Sequence, residues 1–278
     1  MLSAAATLAA NGRGRFLAPL PLQSWPGIVH GGGLVACLDA AAAGLGRPSG
    51  LRRVDGRLTS SIPTETALAL EGHADGERIT VTVLQDGVPL SMAAVAPVTG
   101  AGRGSAAWAG GDEGWRLPMS EHCLACGSVN PLGLQVALRF DDEGVWAALT
   151  PREPWRTAGG ALQPALAPVV LDEVAWWLGA LMMKEGGLTN RITVGLLRPD
   201  VPAGRLVAAG RYAEVTPVDR KRSFWRTETA LVTEAGEIVA TASIVFRGGA
   251  EYSGRQMAYF RPRTPPDVFR RMFPNHVR

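Results

Sequence analysis

A histidine, three consecutive glycines and an acid form the stretch of this chain best suited to chemistry. His30 is followed by Gly31, Gly32 and Gly33, and Asp39 lies nine positions after the histidine. A helix that starts at the glycines presents unpaired N–H groups and a partial positive charge at its first turn. The N–H of Gly31 can therefore polarise a carbonyl and stabilise an oxyanion. A nearby carboxylate can attack that carbonyl or activate a water.

The residues around this stretch predict the helix that positions it. After the glycines the sequence is small and apolar, and Gly46 and Pro48 end the pattern, so we predict a helix over 31–45. An acid inside such a helix is costly unless it has a partner or a role. Gly31 and Asp39 are eight residues apart, about 12 Å at 1.5 Å per residue, and cannot act on the same carbonyl. The oxyanion donor and the acid must come from two antiparallel helices.

The order of predicted elements occurs twice. In the first half, a short strand at 16–22 precedes the helix, and strands at 51–61, 64–74, 78–85 and 88–98 follow it. In the second half, strands at 132–140 and 145–150 precede a helix at 164–184, and strands at 191–197, 205–215, 223–233 and 238–246 follow. The segments 87–94 and 236–243 resemble each other. We interpret the chain as an internal duplication.

Composition shifts set the predicted domain boundaries. Residues 1–12 are expected to be loose, and 13–98 form an N-terminal domain. A linker rich in glycine and alanine covers 99–120, a C-terminal domain covers 121–248, and an Arg/Pro-rich tail covers 249–278. Aromatic and methionine residues alternate with the arginines of the tail, which favours docking onto the body or a partner subunit.

The motif resembles the hotdog-fold thioesterases of the phenylacetyl-CoA type, in which an acid also lies nine positions after a His-Gly-Gly. The opening of the second half, from His122 to Leu134, looks like the Cys-x-x-Cys-Gly…Asn-Pro-x-Gly-Leu opening of other proteins in that superfamily. The resemblance covers about 15–98 and 121–247. It implies an α+β fold with two hotdog domains, each a central helix wrapped by an antiparallel sheet, forming a pseudo-dimer. It also implies a site across the interface of the two domains.

Two composite sites are possible, and they are not equivalent. Asp172 stands where the resemblance places the acid of the second helix, and counting back nine positions gives Gln163, followed by Pro164. Proline has no N–H to donate, so a site that pairs Asp39 with Pro164 lacks its oxyanion donor. We therefore expect the site to combine His30 and Gly31 with Asp172.

Other residues are expected to bind substrate rather than to react. A polar residue about six positions before the histidine is typical of the resemblance, which points to Ser24 or its neighbour Gln23. Gly32 supplies a further N–H, and Trp176 follows Asp172 on a face that either belongs to the core or lines an acyl pocket. Lys221 and Arg222 lie in a basic turn, which is either a solvated turn or a contact for the phosphates of coenzyme A.

The cysteines do not predict a metal site. Cys123 and Cys126 form one Cys-x-x-Cys pair beside His122, whereas a structural zinc site takes four ligands. Cys37 lies in the first helix, in the other half of the chain. We expect no metal and no cofactor, with coenzyme A present only as part of a substrate. Three cysteines also argue against a disulfide scaffold and for a reducing compartment.

The composition of the chain indicates which kinds of partner the protein is expected to bind. The 278 residues carry a net charge of +3, which is too small to favour nucleic acid. The apolar run at the N-terminus is too short for a membrane span and lacks the basic start of a signal peptide, and we expect no later run to approach the roughly 18 apolar residues of a span. We expect a cytoplasmic protein that acts on an acyl-CoA or acyl-carrier thioester without membrane binding, either alone or as a homo-oligomer.

The function that these residues favour is hydrolysis of an acyl thioester. The main alternative is a non-catalytic protein that binds an acyl ligand or serves as a scaffold. A hydratase or dehydratase is a weaker alternative, because the chain has no Asp-x-Asn-Pro-x-His segment of the hydratase kind.

Overall fold

The structure is a computed structural model that describes residues 5–98, 113–198 and 200–277. In the first half, strands β1 (Ala6–Leu8) and β2 (Arg13–Leu17) precede helix α1 (Gly31–Ala41), which a 3-10 turn extends over Ala42–Leu45. Four strands follow: β3 (Arg52–Leu58), β4 (Ala67–Asp75), β5 (Arg78–Gln85) and β6 (Val88–Pro97). This is the predicted order of elements.

The second half repeats that order. Strands β7 (Trp115–Arg116), β8 (Arg139–Phe140) and β9 (Gly144–Leu149) precede helix α2 (Leu166–Met183). Strands β10 (Gly187–Leu196), β11 (Leu206–Arg211), β12 (Thr216–Pro217), β13 (Phe224–Thr233) and β14 (Ile238–Gly248) follow. Helices α3 (Ala250–Phe260) and α4 (Pro266–Met272) follow, and a 3-10 turn at Pro274–His276 comes last in the described chain.

One antiparallel sheet joins the two halves. Among the described residues its order is β1-β2-β4-β5-β6-β3-β10-β14-β13-β11-β9-β8-β7, and β12 pairs with β13. The halves meet where β3 pairs with β10, with Val54 opposite Val194. Outward from this seam the strands correspond in order, so the two halves are related by an approximate two-fold axis. This is the predicted pseudo-dimer of two helix-and-sheet units.

The two central helices lie against each other under the sheet. Successive side chains of a strand point to opposite faces of the sheet. In β5 the alternate residues Ile79, Val81 and Val83 are apolar and buried, so one face of the sheet packs into the core. Helix α2 is apolar on nearly all sides and is the core helix of the second half. By length and composition it could cross a bilayer, but 83% of it is buried inside the protein.

Four segments differ from the sequence-based expectations. The strand predicted at 16–22 ends at Leu17, because Leu20–Leu22 form a 3-10 turn instead. Residues 6–8, expected to be loose, form a strand because β1 pairs with β2, with Ala6 opposite Phe16. The strand predicted at 132–140 is reduced to Arg139–Phe140, since the segment before it folds as a buried irregular loop. Of the predicted linker, 99–112 lies outside the described residues, and Trp115–Arg116 pairs with β8. The predicted domain boundaries stay predictions.

The C-terminal tail packs onto the body, as its interleaved aromatic residues predicted. Phe260 and Phe273 are buried and lie against Trp177. Polar contacts fix the same segment, because Gly186 N–H donates to Ser253 Oγ at 2.8 Å and Gly187 N–H donates to Gln256 Oε1 at 2.8 Å. The tail is therefore part of the wall that encloses the helix pair.

Candidate functional site

The first turn of α1 meets Asp172 of α2. The N–H of Gly32 donates to Asp172 Oδ2 at 2.7 Å, and Thr189 Oγ1 donates to Asp172 Oδ1 at 2.8 Å. The approach depends on glycine: a Cβ on Gly31 would lie 2.9 Å from Asp172 Oδ2, and one on Gly32 would lie 2.1 Å from the carbonyl oxygen of Pro168. The predicted partners, Gly31 and Asp172, are therefore neighbours across the two halves.

The N–H of Gly31 remains available. A residue at the first position of a helix has no carbonyl four residues before it within the helix. Among the described residues the Gly31 N–H has no hydrogen-bond partner, although Gly31 itself lines a cavity. The structure thus presents an unengaged donor close to a buried carboxylate.

His30 caps the helix and links the two acids of α2. Its Nδ1 accepts from Gly33 N–H at 3.3 Å and lies 3.4 Å from Asp172 Oδ2. Its Nε2 lies 3.3 Å from Glu173 Oε2. Burial lowers the pKa of His30, but the Cys123 thiol, Glu173 and Asp172 outweigh it and raise the pKa well above its ordinary value.

The acids and thiols of this cluster perturb one another. Burial raises the pKa of Asp172, against the opposing effects of His30, Thr189 and Gly32. A carboxylate with a raised pKa is a stronger base than a free one. Burial also disfavours ionised Glu173, but its contacts with His30 and the two thiols lower its pKa. The pKa of Cys123 falls to about 7 although burial alone would raise it, because Cys126 and His30 stabilise the thiolate.

These groups line one cavity at the junction of the halves. It encloses about 1070 Å³ including its open mouth. The polar groups in its wall include His30, Gly31, Asp172, Glu173, Thr189, Asn190, Cys123 and Cys126. Its apolar wall includes Trp25, Leu34, Leu58, Trp176, Trp177 and Phe260. A cleft with an apolar wall and a few converging polar groups is the usual form of a small-molecule site.

Asp39 lies in a separate cavity. Its carboxylate accepts from Arg52 Nη2 at 2.7 Å and Nε at 2.9 Å, and the Arg52 side chain is 1% exposed. Arg47 lies 3.6 Å away. Gln163 and Pro164 line the same cavity, so the residues of the second composite arrangement lie together. There the acid is neutralised by arginine, and the residue at the donor position is a proline.

Some of the residues predicted to bind substrate line the first cavity, and others do not. Ser24 and Trp176 line the first cavity, and Gly32 donates to Asp172. Gln23 is not among the lining residues. It is buried, and its Oε1 accepts from Gly27 N–H at 3.0 Å, which shapes the loop before α1.

Lys221 and Arg222 are exposed in the turn before β13, and neither is among the residues that line the cavity. The guanidinium of Arg222 lies over the ring of Trp225 instead. The basic residue that lines the cavity is Arg247, at the end of β14.

Five residues of the cavity were absent from the predicted site: Thr189, Glu173, Arg247, Cys123 and Cys126. Glu173 adjoins Asp172, so its own position gave a signal. Thr189 lies just after the Gly186–Gly187 turn that ends α2, where a strand returns along the helix. The sequence marks Cys123 and Cys126 as a pair but does not place them at this cavity, and it gives no signal for Arg247, because strand pairing and loop folding bring these residues there.

Comparison with solved structures identifies the fold. The chain is similar to a protein of unknown function with a hot dog fold from Alicyclobacillus acidocaldarius, with 14% identity, a TM-score of 0.59, and 90% of this chain and 98% of that one covered. The tesB protein of Mycobacterium avium subsp. paratuberculosis gives 13% identity, a TM-score of 0.63, and coverage of 89% and 98%.

A third similar structure is that of a dehydratase. An N-terminal dehydratase from the difficidin assembly line gives 12% identity, a TM-score of 0.55, and coverage of 92% and 100%. No family model and no curated protein matches the sequence. The chain therefore has the predicted double hotdog fold, and at these identities the likeness concerns the fold alone.

Proposed function

We propose that this protein hydrolyses an acyl thioester at the cavity between its two halves. The observation that carries the proposal is the meeting of an unengaged helix N-terminal N–H with a buried carboxylate. Gly31 provides the N–H, and Asp172 provides the carboxylate, 2.7 Å from the neighbouring amide of Gly32. These two groups serve the two needs of acyl transfer, an oxyanion donor and a base.

Gly31 is assigned the oxyanion position. A thioester carbonyl placed before α1 accepts a hydrogen bond from Gly31 N–H and lies in the partial positive potential of the helix end. The Gly32 N–H is already given to Asp172, so it orients the acid rather than the substrate. The first turn of one helix thereby binds the carbonyl and fixes the base.

Asp172 is assigned the role of general base. It takes a proton from a water whose oxygen forms a bond to the carbonyl carbon, and the oxyanion that results is held by Gly31. When the tetrahedral intermediate collapses, the carbon–sulfur bond breaks and the departing thiolate takes the proton from Asp172. Thr189 Oγ1, at 2.8 Å from Oδ1, keeps the carboxylate in one orientation.

The apolar wall is assigned to the acyl chain. Trp176 lies 4.9 Å from Trp177 and 5.8 Å from Trp25, as measured between ring centroids, and Phe260 closes the group at 4.9 Å from Trp25. This aromatic wall bounds the cavity on the side of Asp172 and Glu173. It favours an acyl group of limited length or an aromatic one over a long straight chain.

Arg247 is a candidate contact for the carrier of the acyl group. Its side chain is about half exposed at the cavity, where a cation can pair with the phosphates of coenzyme A or of a carrier's phosphopantetheine arm. We assign coenzyme A to the substrate only, and a cytoplasmic location fits such a substrate.

A non-catalytic acyl-binding protein is the second candidate. One observation favours it: both oxygens of Asp172 already accept hydrogen bonds, from Gly32 and Thr189. A carboxylate held in this way has less freedom to receive a proton from water. The same cavity would then bind an acyl thioester without cleaving it.

A panel of acyl-CoAs separates the two candidates. Thiol release is followed with a chromogenic disulfide, using short aliphatic, phenylacetyl, benzoyl and long-chain substrates, and binding is measured by calorimetry on the same samples. The hydrolase proposal expects turnover of at least one substrate by the wild-type chain. Micromolar binding without turnover supports the binding protein, and neither binding nor turnover contradicts both.

A further inference from the structure

The cavity holds a second cluster, which the hydrolysis proposal does not use. His30, Cys123 and Glu173 each offer a ligand atom, and these atoms lie within 4.8 Å of one another. His30 and Cys123 are 2% exposed, and the Glu173 side chain is 12% exposed. Each comes from a different part of the chain: the start of α1, the loop before β8, and helix α2.

The distances between the three groups are also those expected between the ligands of one tetrahedral metal ion. His30 Nε2 lies 3.3 Å from Glu173 Oε2, and Cys123 Sγ lies 3.7 Å from the same oxygen. A tetrahedral zinc with bonds of about 2.0–2.3 Å places nitrogen and oxygen ligands about 3.3 Å apart, and sulfur and oxygen ligands about 3.6 Å apart.

Cys126 provides the fourth donor. Its thiol is buried and lines the same cavity as Cys123 and Glu173. The sulfur of Cys126 is not one of the three ligand atoms that lie within 4.8 Å of one another. For Cys126 to bind the same metal, its side chain must rotate about χ1 to another rotamer. Two thiolates, an imidazole and a carboxylate are all ligands that zinc accepts.

The loop that carries the cysteines is shaped to present thiolates. The N–H of Ala125 points at Cys123 Sγ at 3.3 Å, and Gly127 N–H donates to the carbonyl oxygen of Cys123 at 2.9 Å. A Cβ on Gly127 would lie 2.3 Å from that carbonyl, so the tight turn requires glycine. Leu124 N–H donates to the carbonyl of Gln23 at 2.8 Å, which fixes the loop beside His30.

We infer that His30, Cys123, Cys126 and Glu173 bind one zinc ion that cross-links the two halves of the chain. With four protein ligands the site is closed, which is typical of a structural metal. With Nε2 on the metal, His30 Nδ1 carries the proton and donates to Asp172 Oδ2, 3.4 Å away, in exchange for the Gly33 contact. A carboxylate behind a metal-bound histidine is the usual arrangement at zinc sites.

The inference differs from the sequence-based expectation of no metal. From the sequence, His122 is the histidine beside the Cys-x-x-Cys pair, and no fourth ligand is evident. In the structure His122 is exposed, whereas His30 and Glu173 arrive from elements that are remote in sequence.

Metal content of the purified full-length chain tests the inference. The wild-type chain, expressed with zinc in the medium and purified without chelator, is expected to contain about one zinc per chain by mass spectrometry of the elements. His30→Ala, Cys123→Ser, Cys126→Ser and Glu173→Gln are each expected to weaken zinc binding by at least about tenfold. The matched controls His122→Ala and Cys37→Ser are expected to retain it.

Cobalt provides a readout that does not depend on variants or on activity. Titration of metal-free wild-type chain with Co²⁺ is expected to give the visible bands of a tetrahedral ion and a thiolate-to-cobalt charge-transfer band, saturating at one equivalent. Cys126→Ser is expected to halve the charge-transfer band. Absence of both zinc and the cobalt spectrum overturns the inference. The inference is also overturned if His122→Ala loses the zinc while His30→Ala keeps it. It is overturned as well if the purified chain contains no metal and its mass is lower by two hydrogens, which would show a Cys123–Cys126 disulfide.

Discussion

Gly32 and Asp172 are 140 positions apart in sequence, and the amide of the first donates to the carboxylate of the second at 2.7 Å. The contact joins the first turn of α1 to the middle of α2. It exists because α1 starts with glycines, so that the two helix backbones can approach closely. Both the shape of the cavity and the orientation of the proposed base depend on this approach.

Replacing Gly32 by alanine tests that dependence. The new Cβ would lie 2.1 Å from the carbonyl oxygen of Pro168, a backbone atom that cannot turn away. The helices must separate, at a cost of about 1–3 kcal/mol in the free energy of unfolding, and thioester hydrolysis is expected to fall sharply. Urea unfolding and steady-state kinetics measure both effects. Gly50→Ala is the control, since its Cβ would meet no atom within 4 Å, and a matching loss there would contradict the argument.

Asp39→Ala is expected to damage stability and spare catalysis. Arg52, 1% exposed, would lose the acid that accepts from its Nε and Nη2. An uncompensated buried charge costs about 3–5 kcal/mol, measured as the change in free energy of unfolding. At a temperature where the variant is folded, kcat is expected to equal that of the wild type.

The double variant Asp39→Ala/Arg52→Met serves as the control for this experiment. It removes both charges, so it is expected to be more stable than Asp39→Ala alone. A kcat that falls with Asp39→Ala in fully folded protein would show that the second cavity takes part in the reaction.

Asp55 makes the seam between the halves sensitive to acid. It accepts a hydrogen bond from Thr193 Oγ1 across the pairing of β3 with β10. Burial raises its pKa, but Thr193, Arg53 and Arg191 lower it below the usual 3.8. The stabilisation is therefore complete above that value and is lost as pH falls through the lower pKa of the folded chain.

Asp55→Asn is thus expected to lower stability at neutral pH, by about 1 kcal/mol because the arginines are exposed and screened. Its free energy of unfolding should approach that of the wild type in acid. Urea titrations at neutral and acidic pH measure the difference, with the exposed Asp75→Asn as a charge-matched control. A difference that is independent of pH would rule out the charged hydrogen bond as its cause.

Trp176→Ala tests the assignment of the acyl wall. Its ring packs on Trp25, Trp177 and Phe260 and lines the cavity. Removing it enlarges the cavity, so the preferred acyl chain is expected to lengthen, read as a shift in kcat/KM across a series of acyl-CoAs. Trp115→Ala, a tryptophan outside the cavity lining that lies beneath Arg271, should leave the profile unchanged. An unaltered profile for Trp176→Ala would place the acyl chain elsewhere.

Much of the fold could be predicted from local patterns. Alternation in β5 and the apolar helix after the glycines are periodic signals that burial confirms, and the duplication follows from the repeated order of elements. The loop before β8 could not be predicted as irregular, because its apolar residues alternate like a strand while their backbone hydrogen bonds go to other loops, such as Leu134 N–H to the carbonyl of Leu124.

The candidate site was only partly predictable, for a geometric reason. Helix spacing excluded Gly31 and Asp39 as partners and directed the search to Asp172, which the structure places beside Gly31 and Gly32. The position of Cys123 depends on how a loop of the second half folds back onto the segment before α1, where Leu124 N–H donates to the carbonyl of Gln23. No spacing within the sequence encodes that contact.

The central claim is that Asp172 is the base for hydrolysis of a thioester bound before α1. Its most direct test is kcat of Asp172→Asn on the best acyl-CoA found for the wild-type chain, with the dissociation constant measured alongside. Asparagine keeps the size of the side chain and can still accept from Gly32, but it cannot take a proton from water. We predict a fall in kcat of about 10²–10⁴-fold with binding nearly unchanged, and a variant that turns over as fast as the wild type would contradict the account.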